Sequence, residues 1–187
     1  SPKAALNIIG SYKIHPQTKL FALQEKVYNC YQTYLKENNL VDFEDLLVLT
    51  KELLLKDEIY LKHLQDKYQY ILVDEFQDTN PIQYDIVKLL AGSRRNLFVV
   101  GDDDKSIFSF TGATVDNMYA FSKDYPECQK IILDQNYRSS NVILKGANSV
   151  IAKNTHREVK NLKGQTPGSM KDVTINEAYY FEDETRY

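Results

Sequence analysis

Asp74 and Glu75 stand side by side at the end of the apolar run Tyr70–Val73, within Ile-Leu-Val-Asp-Glu-Phe-Gln-Asp-Thr-Asn from Ile71 to Asn80. Adjacent carboxylates at the tip of a strand suit metal-assisted attack on a phosphate. The first can hold Mg²⁺ directly or through water, and the second can orient or deprotonate the attacking water. The same pair can also simply end a strand, because open α/β sheets routinely place polar residues there. Two more segments carry reactive groups: Gly-Asp-Asp-Asp-Lys-Ser-Ile-Phe-Ser-Phe-Thr-Gly-Ala over 101–113 and Asp-Gln-Asn-Tyr-Arg-Ser-Ser over 134–140. Taken alone, the first reads as a solvated acidic turn and the second as a core ring beside a surface ion pair.

Positioning these residues requires a sheet. Tyr70–Val73 is rich in β-formers and reads as a buried parallel strand. Pro81 suits the first turn of a helix whose buried face is Ile82, Ile86, Leu89 and Leu90, ending at Gly92. A second strand, Leu97–Val100, breaks at Gly101. A helical stretch over Asp116–Lys123 then leads to a third strand, Lys130–Leu133, and a helix follows Ser139 or Ser140 with Ile143, Ala147, Val150 and Ile151 on one face. This alternation predicts a parallel sheet with crossover helices. Loops at the carboxyl ends of such strands share one edge, so 74–80, 101–113 and 134–139 are expected to meet.

Upstream, Leu23, Val27, Tyr31 and Tyr34 predict a helix over Thr18–Asn38. Asp42, with Asp45 three residues on, predicts the cap of a second helix carrying Phe43, Leu46, Leu47, Thr50, Leu53 and Leu54. A third helix is expected over Asp57–Lys67. Ser1–Gln17 shows no periodicity, and beyond Asn154 the pattern loosens, with a short strand expected over Asp172–Ile175.

The net charge of −3 argues against a chain that wraps nucleic acid by charge alone. The 14 Tyr and 8 Phe nevertheless offer rings for stacking single-stranded bases. No apolar run approaches a membrane span, so no membrane partner is expected. Cys30 and Cys128 lack metal spacing and read as buried, reduced thiols, which favours the cytoplasm.

The string Val73–Asn80 closely resembles motif II of the superfamily 1 DNA helicases of the UvrD, PcrA and Rep type. Segment 101–113 resembles motif III, matching at Gly101, Asp102, Asp104, Ser106, Ile107, Gly112 and Ala113. It departs at Lys105, where the family has Gln, at Phe108, where it has Tyr, and at Thr111, where Arg is usual. Gln135, Asn136, Tyr137, Arg138 and Ser139 match motif IV. Leu40–Leu47 is similar to a run preceding motif II in that family, although an ordinary capped helix explains all its residues.

The resemblance implies that Asp74 holds Mg²⁺ with Glu75, which also activates water. It places Gln77 and Lys105 near the γ-phosphate of ATP, and Phe108 and Phe110 on the DNA side. Tyr137 would stack on adenine, and Arg138 would brace the γ-phosphate. The implied fold is an α/β, P-loop-NTPase (RecA-like) parallel sheet with flanking helices. The sheet is incomplete and carries the remnant of a helical insertion. Residues 1–39 would belong to helical subdomain 1B, 40–133 to ATPase subdomain 1A, and 134–187 to the beginning of 2A.

The implied function is part of an ATP-dependent 3′–5′ DNA helicase acting on single-stranded DNA and single–double strand junctions, together with the rest of the helicase chain. No Gly-x-x-x-x-Gly-Lys-Ser/Thr occurs in the 187 residues, and motifs V and VI are absent from them, so this stretch alone is expected to be inactive. Two alternatives stand beside this reading. One is a reduced, non-catalytic module that binds DNA or protein, and the other is a metal-dependent nuclease using Asp74, Glu75 and the acids 102–104.

Overall fold

Ser1 and Pro2 start a helix that the hydropathy pattern conceals. The fold is that of a computed structural model describing residues 1–106, 112–154 and 157–174. The chain divides into two units, Ser1–Glu127 and Cys128–Tyr187. In the first, helix α1 spans Pro2–Ile14, with Ser1 Oγ accepting the Ala4 N–H at 3.4 Å and Pro2 in the first turn, where its missing donor costs nothing. The expectation of an irregular Ser1–Gln17 is therefore corrected. A buried Lys13 beside the buried Ile9 and Ile14 interrupts the apolar stripe that would have revealed the helix.

Lys13 is buried because it has two partners. Its ammonium donates to Asp42 Oδ2 at 2.5 Å and to Asp45 Oδ1 at 2.7 Å. The same two carboxylates cap helix α3 (Phe43–Lys56): Asp42 Oδ1 accepts the Asp45 N–H at 2.8 Å and Asp45 Oδ2 accepts the Asp42 N–H at 3.2 Å. Burial alone would push the Lys13 pKa down, but the hydrogen bonds and charges of Asp42 and Asp45 outweigh it and raise it. Burial likewise opposes the Asp42 carboxylate, and the bond from Lys13 overcomes it, holding Asp42 below the usual carboxylate range.

Helix α2 spans Ala22–Glu37, and its packed face lies one residue out of phase with the expected one. Tyr28, Tyr31 and Leu35 are covered, with Tyr28 edge-on to Tyr12 at 4.9 Å, whereas Leu23, Val27 and Tyr34 are exposed. Apolar residues fall on both sides of this helix, so periodicity alone cannot choose between them. Cys30 shares the outer side, which corrects the expectation of a buried thiol there. In α3, Leu54 is buried while Phe43, Leu46 and Leu53 are exposed. Helix α4 spans Glu58–Lys67, with Asp57 Oδ1 accepting the Tyr60 N–H at 2.8 Å.

Strands β1 (Ile71–Val73) and β2 (Leu97–Val99) pair in parallel, with Ile71 opposite Leu97, Leu72 opposite Phe98 and Val73 opposite Val99. The crossover is helix α5 (Pro81–Ala91), capped at Asn80 and closed at Gly92 as its sequence predicts. Both strands are covered on one side only. Leu72 is 73% exposed and Phe98 57%, because no described element packs on their face, so the expectation of a buried strand over Tyr70–Val73 is met on one face only. The core beneath the sheet's carboxyl edge is aromatic. Phe76 meets Tyr84 of α5 and Phe121 of helix α6 (Asp116–Asp124) edge-on, at 5.4 and 5.8 Å.

In the second unit, strand β3 (Gln135–Asn136) pairs in parallel with β4 (Lys163–Gly164), and helix α7 spans Asn141–Ile151. The strand expected over Lys130–Leu133 is not formed. A strand is defined by its ladder, and among the described residues the ladder begins only where Lys163 N–H meets Asp134 O at 2.9 Å, leaving Ile131, Ile132 and Leu133 exposed. The sequence therefore does not add a third strand to the β1–β2 sheet; β3 belongs to a separate pair.

Helix α7 buries Leu144 rather than Ile143, Ala147 and Val150, since Asn148 on that side is bonded to both the N–H and the carbonyl of Leu162. Gly164 admits no side chain: a Cβ there would lie 2.9 Å from Ser139 O. The strand expected over Asp172–Ile175 is not formed at 172–174, where Asp172 ends a 3₁₀ turn over Met170–Asp172, and Ile175 lies outside the described residues. Among the described residues, no helix is long and apolar enough to cross a membrane.

Candidate active site

The turn after β1 is fixed by the sheet itself. Val100 N–H donates to Val73 O and Phe76 N–H donates to Val100 O, each at 2.8 Å, so the ladder resumes on the far side of Asp74 and Glu75. These two acids are thereby left exposed at the carboxyl edge of the sheet. Closing so short an excursion puts Glu75 in the left-handed region, with φ 47° and ψ 44°, a conformation that costs a non-glycine residue about 1 kcal/mol or more. Asp74 Oδ1 accepts the Glu75 N–H at 2.8 Å, and Phe76, wholly buried, anchors the following 3₁₀ turn Phe76–Asp78.

Gln77 is the hub. Its side chain is buried; Nε2 donates to Glu75 Oε2 at 2.8 Å and to Asp78 Oδ2 at 3.3 Å, while Oε1 accepts the Asp102 N–H at 2.9 Å. One amide thus spans the turn at 74–80 and the start of segment 101–113. Gly101 leaves room for that approach, since a Cβ on it would fall 2.9 Å from Gln77 Oε1 and push the amide aside. Next, Asp102 Oδ1 accepts the Asp104 N–H at 3.2 Å and the chain makes a 3₁₀ turn over Asp103–Lys105, leaving Lys105 exposed. Carboxylate oxygens of Asp102, Asp103 and Asp104 come within 4.8 Å of one another.

Asp74 and Glu75 fit a hard divalent cation. Both are exposed carboxylates, and among the described residues no Lys or Arg neutralises either, so oxygen donors with uncompensated charge remain for a metal. Asp78 Oδ1 lies close by in sequence, buried and without a hydrogen-bond donor among the described residues. It is an acceptor that a bound water or ligand can satisfy.

Phe108 and Phe110 lie outside the described residues, as does Thr111. Tyr137 and Arg138 belong to the second unit, directly after β3. There Asn136 Oδ1 accepts the N–H groups of Arg138 and Ser139, both at 2.9 Å, which sets the turn and leaves Tyr137 78% exposed and Arg138 exposed. The structure therefore brings Asp74, Glu75, Gln77 and the start of segment 101–113 together within the first unit. Sequence reasoning passed over Thr79 and Asn117. Asn117 Nδ2 donates to Thr79 O at 2.9 Å and to Thr79 Oγ1 at 3.1 Å, a contact that no local pattern announces.

Residues 4–126 match the UvrD/REP helicase N-terminal domain. The chain belongs to that family. Over 161 residues it is 45% identical to the ATP-dependent DNA helicase PcrA of Staphylococcus epidermidis, an alignment covering 86% of this chain and 22% of that protein. Over 136 residues it is 49% identical to the ATP-dependent DNA helicase PcrA of Staphylococcus aureus, covering 73% of this chain and 19% of the relative. This UvrD/REP chain thus spans about a fifth of the length of the curated relatives it matches.

Proposed function

We propose that these residues form part of an ATP-dependent DNA helicase that couples Mg-ATP hydrolysis to 3′–5′ movement along single-stranded DNA and to unwinding at junctions. The observation that carries this is Gln77, whose amide holds the Glu75 carboxylate with one end and the backbone of Asp102 with the other. A nuclease or a passive binding module has no need of a buried polar bridge between a hydrolytic acid and a neighbouring loop, whereas a motor must report one event to the other. In this reading 74–80, 101–113 and 134–139 serve as motifs II, III and IV on a P-loop-type sheet. Residues 1–39 are the end of helical insertion 1B, 40–133 part of 1A, and 134–187 the start of 2A, in a cytoplasmic enzyme.

Asp74 and Glu75 would hold Mg²⁺, which when bound neutralises charge on the phosphates. Glu75, oriented by Gln77, takes up the proton of the attacking water. Its left-handed backbone and its bond to Gln77 restrict where that carboxylate can go, so its alignment does not have to be found at each turnover. Lys105 supplies positive charge toward the γ-phosphate. Being a donor only, it cannot accept a hydrogen bond from the water as an amide oxygen would, and the link from nucleotide to DNA is correspondingly weaker. Tyr137 offers a ring to adenine, Arg138 a planar fork to the γ-phosphate, and Phe108 and Phe110 offer rings to DNA bases.

The test is ATP hydrolysis with and without single-stranded DNA, by the full-length protein carrying this chain, by its Glu75→Gln variant and by the 187 residues alone. DNA-stimulated turnover by the full-length protein, a loss of roughly 10²-fold or more in Glu75→Gln, and no turnover by the isolated stretch are expected. A full-length protein without DNA-stimulated turnover would overturn the proposal.

A further inference from the structure

Segment 101–113 is tied to the turn at 74–80 at both ends. Gln77 makes the tie at Asp102, and the second tie lies beyond Ala113 and involves no residue given a chemical role above. Thr114 N–H donates to Thr79 O at 3.2 Å, and Asn117 Nδ2 donates both to Thr79 O at 2.9 Å and to Thr79 Oγ1 at 3.1 Å. The Thr79 hydroxyl, with its lone pair taken by Asn117, sends its own proton to Phe76 O at 2.6 Å. Asn117 is 5% exposed, and its backbone N–H is held by Thr114 O at 3.2 Å, so the amide is not free to turn away. A continuous line of hydrogen bonds thus runs from the first turn of α6 to the carbonyl of the residue next to Glu75. Each donor in the line polarises the next.

We propose that Asn117 is a positioning residue that, through Thr79, transmits the state of segment 101–113 to Glu75, independently of Gln77. This rests on the helicase reading given above. The geometry favours transmission over simple packing. Both acceptors of the buried Asn117 amide, a carbonyl and a hydroxyl, belong to one threonine of the turn at 74–80. That hydroxyl closes the turn carrying the catalytic acid. Displacement of α6 at its first turn therefore removes a donor from Thr79, frees its hydroxyl to rotate, and loosens Phe76 O next to a residue already held in a left-handed conformation.

Asn117→Asp keeps the shape and removes the donor, setting a carboxylate against two oxygens. Thr79→Val removes the hydroxyl, and Thr79→Ser keeps it. In the full-length protein, the measurement is the ratio of kcat with saturating single-stranded oligothymidine to kcat without it, alongside KM for ATP and the melting temperature.

The expected result is a fall in that ratio of about fivefold or more in Asn117→Asp, with KM unchanged and the DNA-stimulated rate falling further than the DNA-free rate. The same fall is expected in Thr79→Val, with the ratio restored in Thr79→Ser. An unchanged ratio, or an equal fall in both rates together with a lower melting temperature, would reduce Asn117 to a structural contact and overturn the inference. If Asn117→Asp does not fold, the Thr79→Val and Thr79→Ser pair decides on the same criterion. A wild-type protein whose turnover does not respond to DNA would instead remove the helicase reading, and this inference with it.

Discussion

The turn at Asp74–Asn80 and the segment at Asp134–Ser139 are held in opposite ways. The first is fixed by sheet hydrogen bonds on both sides of its acids, by a wholly buried Phe76, by a buried Gln77 and by the bonds to Thr79. The second is shaped by one Asn136 side chain bonded to two backbone N–H groups, with Tyr137 and Arg138 left exposed. In the proposed function, a carboxylate that aligns a water gains from being set in advance, whereas a ring and a guanidinium that approach a nucleotide during a cycle must remain free to arrive and leave. Substitutions at the buried residues of the first region should therefore carry a cost in stability, and substitutions at Tyr137 and Arg138 a cost in chemistry alone.

The sharpest way to break that contrast is Arg138→Ala. It should lower kcat for ATP by roughly 10³-fold, leaving nucleotide affinity and the unfolding temperature nearly unchanged. Equal losses of turnover and nucleotide binding would contradict the assigned role. Phe76→Ala should do the reverse, destabilising the first unit by about 3–5 kcal/mol. Hydrogen exchange should show protection lost over 71–125 and retained over 135–164; uniform loss would mean that the two regions are not separately held.

A smaller change is expected at Lys105. Restoring an amide with Lys105→Gln should raise DNA stimulation of turnover a few-fold, about 1 kcal/mol, and an unchanged ratio would remove Lys105 from the coupling. The least effect comes from pH. Asp42 and Asp85 are held below their ordinary 3.8, against the pull of burial, by Lys13 in one case and by Lys51 and Lys88 in the other. Their contribution is present above 3.8 and is lost as pH falls through the lower, folded values. Lys13, raised above 10.5, contributes fully below that value and loses its share as pH rises beyond it. Unfolding of the first unit, followed by hydrogen exchange between pH 2 and 5, should show the acid loss diminished in Asp42→Asn.

Much of this was legible in the sequence wherever the cause is local. The Asp42 and Asp45 cap, the Asn80-Pro81 start and Gly92 end of α5, and the two strands that flank it all follow from neighbouring residues. What could not be read depends on distant partners. Helix α1 was hidden because Lys13 is buried by acids 29 and 32 positions away. Ile131–Leu133 looked like a strand because apolar β-formers say nothing about whether a partner lies alongside. Gln77 was given its place by resemblance, but its reach to an N–H 25 residues on is a property of the fold, as is the clasp of Asn117 on Thr79.

The left-handed Glu75 sets the fitness of this chain against its durability. Glycine adopts that backbone without the steric penalty, so Glu75→Gly relieves strain of about 1 kcal/mol, set against its own folding entropy and the lost bond from Gln77. A library screened only for heat tolerance therefore exerts little pull to keep an acid at position 75. Under the proposed function, laboratory evolution of a hardier variant from this sequence needs an activity screen in every round, with position 75 held fixed.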